Sequence, residues 1–431
     1  MEFVSRDSYI QYIERYGLHR KKGEVNMAIT AARRDKLKKR VLLVTGVFPP
    51  GIGGMQKYYY HLCRNTGHRM TVLAPIYGGD ETFDRGQAYK VIRRRFLQLE
   101  TIQISSWPRL LYHTIATIRT EKTDVTIYGY ILIGLIGLIL QLFFNKKYVV
   151  SVHGKDLLEF RRFWGVHLLC KTILRRADGV LANSRYSKRI VMDYGVDERK
   201  IQVVYPGVEA GFDRGEKAEE LVAKHDLKGK YVLLTVGRLV KRKGHDKVIQ
   251  ALPLIVEQVP QTVYLIVGDG PERQNLERLV EQYGVREHVI FTGSLADTEQ
   301  LRQYYQTADT FVMTTRLLDD KGDVEGFGIV YLEAASCGLP AVAGRAGGVA
   351  EAVLDQTTGL LVDPTSIEDI ATAVTRLHQD PVWRESLAQA GYRRAKISFQ
   401  YEQIVSKMDI FLESVCAGEA VPIGEESTVK L

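Results

Sequence analysis

The chain has 431 residues, 45% of them hydrophobic and 26% charged, with 38 glycines. That profile suits water-soluble domains rich in tight turns, with length enough for two full cores, and excludes a disordered or fibrous chain. Net charge is +8, but residues 1–40 alone hold 11 Lys/Arg against 5 Asp/Glu, so the body is nearly neutral and nucleic acid is not expected as its partner.

Residues 1–39 read as a basic N-terminal extension. Its start, "MEFVSRDSYIQY", lacks the apolar core and cleavage site of a signal peptide. "DSYIQYIERYGL" (7–18) sets Tyr9, Tyr12, Ile13 and Tyr16 on one helical face, which could dock on the body or lie at a membrane interface. "RRDKLKKR" (33–40) suits an acidic membrane surface, nucleic acid or simply a solvated tail. Cys63, Cys170, Cys337 and Cys416 lie too far apart for a zinc site or a disulfide framework, so a reducing cytoplasm is expected.

From residue 40 short β-branched runs alternate with longer helical stretches. Strands are expected at 40–48, 70–75, 89–96, 125–130, 148–154, 179–184 and 201–207. One run, "YILIGLIGLILQLFF" (130–144), invites a membrane reading. It falls short of the roughly 20 residues needed to span a bilayer, and it is read as a helix buried against a sheet. After a polar stretch, "EAGFDRGEKAEE" (209–220), strands recur at 231–239, 263–269, 289–295, 310–316, 341–347 and 359–364. Such alternation means parallel sheets covered on both faces, here two doubly wound α/β domains at 40–208 and 209–390. A helix at 391–416 and a disordered tail at 417–431 complete the expectation. Ligands of such sheets sit outside the carboxyl ends of the strands, so the cleft between the domains is the expected site.

Three segments carry candidate chemistry. In "FPPGIGGMQKYYY" (48–60), Gly51, Gly53 and Gly54 follow the first strand and open a helix, whose free amides favour an anion such as a diphosphate. A plain strand-to-helix turn would look the same. In "VGRLVKRKG" (236–244), Arg238, Lys241, Arg242 and Lys243 cluster where strand gives way to helix, as a diphosphate site or a solvated basic loop would require. In "EGFGIVYLE" (325–333), Glu325 and Glu333 bracket an apolar stretch. If residues 326–333 are helical, the carboxylates stand about 12 Å apart at ~1.5 Å per residue. That separation matches a sugar and a ribose joined by a diphosphate, and carboxylates accept hydrogen bonds from hydroxyls.

In this order, "GIGGMQ" (51–56), "SVHG" (151–154), "VGRLVKRKG" and "EGFGIVYLE" resemble the retaining glycosyltransferases of family 4, which have the GT-B fold. The last matches that family's E-x7-E motif. "IVGDGPER" (266–273), "FTGSL" (291–295), "GLPAVAGRAGGVAEAV" (338–353) and "TGLLVDP" (358–364) extend the likeness over about residues 40–410. The resemblance implies two Rossmann-like domains, the first for an acceptor and the second for a nucleotide-sugar donor. It implies that Gly54, Arg238 and Lys243 meet the donor diphosphate, that Glu325 holds the transferred sugar and that Glu333 holds the ribose. Backbone amides at Phe327, Gly328 and Ile329 would meet sugar and phosphate, and His153 the reacting centre. Ser294 and Leu295 are assigned to donor binding, Asp297 to the base, and Gln56 and Lys57 to the acceptor side. No cofactor or metal is implied; the adjacent Asp319 and Asp320 read as part of a variable loop.

The loop before Glu325 resembles that of mannosyltransferases acting on phosphatidylinositol mannosides, which favours GDP-mannose and a lipid-linked or glycan acceptor. A UDP-sugar-dependent transferase, glucosyl or N-acetylglucosaminyl, stays open. "KDLLEFRRFWGVHLLCKTILRR" (155–176) could form a basic amphipathic face for peripheral association with an anionic membrane, at the inner face of the plasma membrane, or could simply pack on the sheet. Nucleotide-sugar 2-epimerases share the fold but lack this set of motifs. A protein working only through its basic extension would lose its activity with residues 1–39.

Overall fold

The computed structural model describes residues 38–51, 53–95, 106–295, 297–318 and 322–419. The tyrosine-faced segment at 7–18, most of the basic run at 33–40, Asp319, Asp320 and most of the tail lie outside them.

Two parallel sheets follow one another. The first holds β1 (Arg40–Val44), β2 (Arg69–Pro75), β3 (Lys90–Arg94), β4 (Val125–Tyr128), β5 (Tyr148–Val152), β6 (Gly179–Ala182) and β7 (Ile201–Val203), in the order β3-β2-β1-β4-β5-β6-β7. The second holds β8 (Tyr231–Val236), β9 (Thr262–Val267), β10 (Val289–Gly293), β11 (Thr310–Met313), β12 (Ala341–Gly344) and β13 (Gly359–Val362), ordered β10-β9-β8-β11-β12-β13. These are the two Rossmann-like domains of a GT-B fold. Every strand lies on an expected run, but most stop early. β1 ends at Val44 because the chain turns there: Thr45 Oγ1 donates to the Val47 carbonyl at 2.9 Å. β4, β5 and β6 are buried along their whole length, as parallel strands covered on both faces must be.

In each sheet the order reverses at one place, between β1 and β4 and between β8 and β11. Loops leaving the carboxyl ends of strands diverge at such a reversal and leave a crevice. The three candidate segments follow β1, β8 and β11, so they leave the sheets at these two crevices.

The apolar run at 130–144 becomes the helix Gly134–Phe144, packed on β4, β5 and the helix Trp164–Arg176. Gly137 lets it sit close, since a Cβ there would come within 2.6 Å of the Tyr128 and Tyr148 rings. Its last turn departs from a buried helix: Leu142, Phe143 and Phe144 are exposed. Among the described residues no helix is long and apolar enough to cross a membrane.

The interval expected as one helix at 391–416 divides between two. Pro381–Ser398 packs within the second domain, the chain breaks at Phe399 and Gln400, and Tyr401–Ala417 packs on the helix Gly54–Asn65 and on β7. At the break the Val208 amide donates to the Phe399 carbonyl at 3.0 Å. Asp409 then fastens the returning helix, accepting from the Thr66 hydroxyl and the Gly67 amide, the latter at 2.8 Å. Tyr205 just after β7, Phe327 from the loop after β11 and Phe399 form an aromatic triangle with centroid separations of 5.3, 5.7 and 5.7 Å.

Candidate functional site

The second domain supplies a dense charge cluster. After β8 a turn over Lys241–Lys243 leads into the helix His245–Gln258. Gly244 joins them with a left-handed φ of 79°, and a Cβ there would lie 2.1 Å from the Thr314 carbonyl oxygen. Only glycine fits, and its fit locks the end of β8 against the end of β11. Lys243 is buried and its Nζ donates to Glu325 Oε2 at 2.7 Å. Arg242 donates to the same carboxylate oxygen, and its Nε lies 3.1 Å from Asp323 Oδ1. Burial opposes ionisation of Glu325, but Lys243 and Arg242 overcome it and hold the carboxyl at about 2. Glu325 is therefore ionised at neutral pH.

Arg238 is exposed and has no side-chain partner among the described residues. Lys243 and Arg238 thus differ in kind: one is locked into a buried ion pair, the other is free to meet a ligand from solvent.

The first domain closes against this cluster. Gly326 lies so near His153 that a Cβ would fall 2.2 Å from the His153 carbonyl oxygen. Gly54 begins the helix Gly54–Asn65, and a Cβ on it would lie 3.6 Å from Ile329 Cδ1. Two helix N-termini, Gly54–Asn65 and Ile329–Ser336, therefore meet across the cleft, each with unpaired amides and the positive end of a helix dipole. His153 follows β5. Its amide donates to Asp156 Oδ1 at 3.0 Å and its Nε2 lies 2.6 Å from the Tyr59 hydroxyl. Burial lowers its pKa to about 4, so the ring is neutral at neutral pH. Burial likewise raises the Asp156 carboxyl to about 6, against three backbone amides that favour the charged form.

"EGFGIVYLE" departs from the expected helix. The helix is Ile329–Ser336, capped by Gly328 at φ 96°, and Glu325 stands outside it in the loop. The 12 Å helical spacing therefore does not apply. Glycine at 326 and 328 and the burial of Phe327 in the aromatic triangle hold residues 326–328 off the helical path. Glu333 is 4% exposed, accepts from the Tyr305 hydroxyl at 2.8 Å and has Lys57 Nζ 3.8 Å away. Lys57 also lies 3.4 Å from Glu209, so in the structure it joins the carboxylate assigned to the ribose. Gln56 folds back over Gly53. Ser294 is exposed, Leu295 packs against the core, and Asp297 caps the helix Thr298–Thr307 by accepting from the Glu299 amide at 3.0 Å.

Two models of known families cover most of this architecture: Glycosyltransferase Family 4 over residues 52–212 and Glycosyl transferases group 1 over residues 217–394. A curated relative from Mycolicibacterium smegmatis is 35% identical over 380 residues, spanning 84% of this chain and 95% of its own length. It is a GDP-mannose-dependent alpha-(1-6)-phosphatidylinositol monomannoside mannosyltransferase. The chain belongs to this family of glycosyltransferases. A Corynebacterium glutamicum relative acting on the monoacylated form of that acceptor is 28% identical over 385 residues, covering 87% of this chain and 98% of the relative. Among solved structures, Anabaena HepE in complex with UDP superposes with a TM-score of 0.74 at 22% identity, over 87% of this chain and all of that one. Sucrose-phosphate synthase from Thermosynechococcus elongatus gives 0.74 at 23%, over 89% and 100%.

In this glycosyltransferase the sequence alone did not single out Tyr59, Glu209, Tyr305 and Asp323, and it named Arg242 only as one of a basic cluster; Gly326 was legible as a place of close backbone approach. Arg242 and Asp323 had a usable signal, since each lies within two residues of an assigned one. Tyr59 and Tyr305 had none: a buried tyrosine on a helix looks like core until its hydroxyl partner is known.

Proposed function

We propose that the enzyme transfers mannose from GDP-mannose, with retention of configuration and without a metal, to a hydroxyl of a lipid-linked acceptor of the phosphatidylinositol mannoside type. The observation that carries the reading is the cluster of Lys243, Arg242 and Glu325 at one crevice, set against Gly54 and His153 at the other. Kinship with GDP-mannose-dependent enzymes at up to 35% identity supports the donor.

On this reading the diphosphate lies between the two helix N-termini. Lys243 retains two further N–H groups beyond the one given to Glu325, and Arg238 approaches from solvent. Glu325, already ionised, keeps free lone pairs for sugar hydroxyls. The C1–phosphate bond breaks and the bond from C1 to the acceptor oxygen forms on the same face. The acceptor proton passes to the departing phosphate oxygen, which leaves as GDP. The protein positions the reactants and stabilises the charge growing on that leaving group.

A lipid acceptor requires the cleft to work near a membrane. Trp164 is 81% exposed, and Phe163 and Leu168 are exposed beside Arg161, Arg162 and Arg175. Aromatic and cationic groups together suit the interface of an anionic bilayer, on the cytoplasmic side where GDP-mannose is available.

A thermal-shift panel of GDP-mannose, UDP-glucose and UDP-N-acetylglucosamine tests the donor, since a ligand at 100 times its Kd stabilises by about 2.7 kcal/mol. Stabilisation by UDP-glucose and none by GDP-mannose sinks the donor assignment. Labelled transfer to phosphatidylinositol mannoside in vesicles, with the anomeric configuration read by NMR, tests the acceptor and stereochemistry.

A further inference from the structure

The Tyr59 hydroxyl has one proton and two close partners. It lies 2.7 Å from the Gly129 carbonyl oxygen and 2.6 Å from His153 Nε2. A carbonyl oxygen only accepts, so the tyrosine proton must go there, and a neutral imidazole carries one N–H. His153 Nε2 must then be the donor to the tyrosine oxygen. The alternative, a hydroxyl donating to Nε2, leaves two oxygens facing each other at 2.7 Å with no proton between them.

We infer that Tyr59 is a positioning residue that fixes the tautomer of His153, so that Nδ1 is presented to the donor sugar as a hydrogen-bond acceptor. The inference rests on the reading that His153 meets the donor. Nδ1 has no partner among the described residues, and His153 is half-buried at the cleft.

The surroundings hold this arrangement in one geometry. The Tyr58 and Tyr59 rings stand edge-on to the imidazole, each with a centroid 5.4 Å away. The His153 amide is tied to Asp156. Gly129 has no side chain, and a Cβ there would fall within 3.0 Å of the Tyr59 ring, so glycine is what lets the hydroxyl reach the carbonyl. Ser151 Oγ is buried beside the Tyr59 hydroxyl; as a donor to the tyrosine oxygen it leaves the tyrosine proton to the Gly129 carbonyl. Burial keeps the ring neutral, which the acceptor role requires, because imidazolium has no lone pair to offer.

The consequence is selectivity for a hydroxyl over a group that cannot donate. A sugar hydroxyl satisfies Nδ1, whereas fluorine at that position sets lone pair against lone pair. With the opposite tautomer, fluorine would be tolerated.

The test combines histidine-selective 15N NMR with deoxyfluoro analogues of GDP-mannose. In the wild-type protein at pH 7, His153 is expected as the Nε2–H tautomer, and one monofluorinated donor should bind at least 10-fold more weakly than GDP-mannose. Tyr59→Phe keeps the ring and removes the hydroxyl. It should shift His153 toward a tautomer mixture and shrink the penalty for that same donor, with KM changing more than kcat. An Nδ1–H tautomer in the wild type overturns the inference whether or not the variant folds. An unchanged tautomer and fluorine penalty in folded Tyr59→Phe overturns it as well. If GDP-mannose leaves the His153 ring resonances unmoved, the placing of His153 at the donor fails, while the tautomer assignment is judged on the free protein.

Discussion

Glu351 ties the two domains together, and removing its carboxylate is expected to open the cleft. It sits on the short second-domain helix Val349–Ala352. It accepts from the Arg185 and Tyr186 amides of the first domain at 2.7 Å each, and from the hydroxyl of Tyr205, just after β7, at 2.9 Å. Those amides begin the helix Arg185–Asp193, so the carboxylate also meets a helix dipole. A hydrogen bond to a charged group contributes about 1.5–3 kcal/mol. Glu351 is only half-buried and water competes for it, so about 3 kcal/mol is a fair figure for the whole contact. At 1.4 kcal/mol per factor of ten, Glu351→Ala should shift the closed-to-open ratio by roughly 100-fold. Small-angle scattering should give a larger radius of gyration, and transfer should slow by more than 10-fold. Donor affinity, measured by calorimetry, should fall much less, because the residues assigned to the donor lie mainly in the second domain. Glu351→Gln, which keeps one acceptor oxygen, should fall between. Unchanged scattering and transfer rate in folded Glu351→Ala would refute the reasoning.

Arg238→Ala should cut transfer by about 100-fold or more without moving the melting temperature, since the side chain is exposed and has no partner among the described residues; wild-type transfer would remove it from the diphosphate site. Lys243→Ala should cost stability as well, by as much as ~3–5 kcal/mol, because it takes one of two cations from a buried carboxylate; a melting temperature equal to that of the wild type counts against this. Acid should destabilise the fold: burial holds His61, His153 and His245 at about 4, 4 and 3 against an ordinary 6.5. Their neutral forms favour the folded chain fully above pH 6.5, and that contribution is lost as pH falls toward 4. Asp156, raised to about 6, works the other way but alone, so the urea midpoint should be lower at pH 4.5 than at pH 7.5, and an equal midpoint would contradict the assignment. Trp164→Ser should weaken binding to anionic vesicles about 10-fold, given ~1.5–3 kcal/mol for burying a large apolar side chain, with donor hydrolysis in solution unchanged; undiminished sedimentation with vesicles would exclude this helix from the membrane contact.

Much of the fold was legible because parallel strands buried on both faces must be apolar runs, and these runs mark every strand. Their ends were less legible, since a residue such as Thr45 continues the β-branched pattern while its hydroxyl already closes a turn. The start of the helix at Ile329 was missed for a related reason. The apolar spacing of Phe327, Ile329, Val330 and Leu332 suits one helix, but Gly328 turns left-handed at φ 96°, Gly326 packs on the His153 carbonyl, and Phe327 is held by Tyr205 and Phe399, so the helix starts only at Ile329. At the site, sequence could pair Lys243 with an anion but could not say that the anion in reach is Glu325. Ion pairs across a strand-order reversal depend on which strands are neighbours, and β8 and β11 are far apart in the chain. Lys57 illustrates the same limit, because its partners Glu209 and Glu333 are 152 and 276 positions away in the chain.

The aromatic triangle of Tyr205, Phe327 and Phe399 lies where the segment after β7, the loop after β11 and the break before the returning helix come together. A lever moves least at its fulcrum. If the two domains rock about that point, loop residues rooted there, Phe327 among them, keep their place while parts of the cleft farther away move through a longer arc. Such a pivot would let the cleft open without disturbing the loop that carries Glu325.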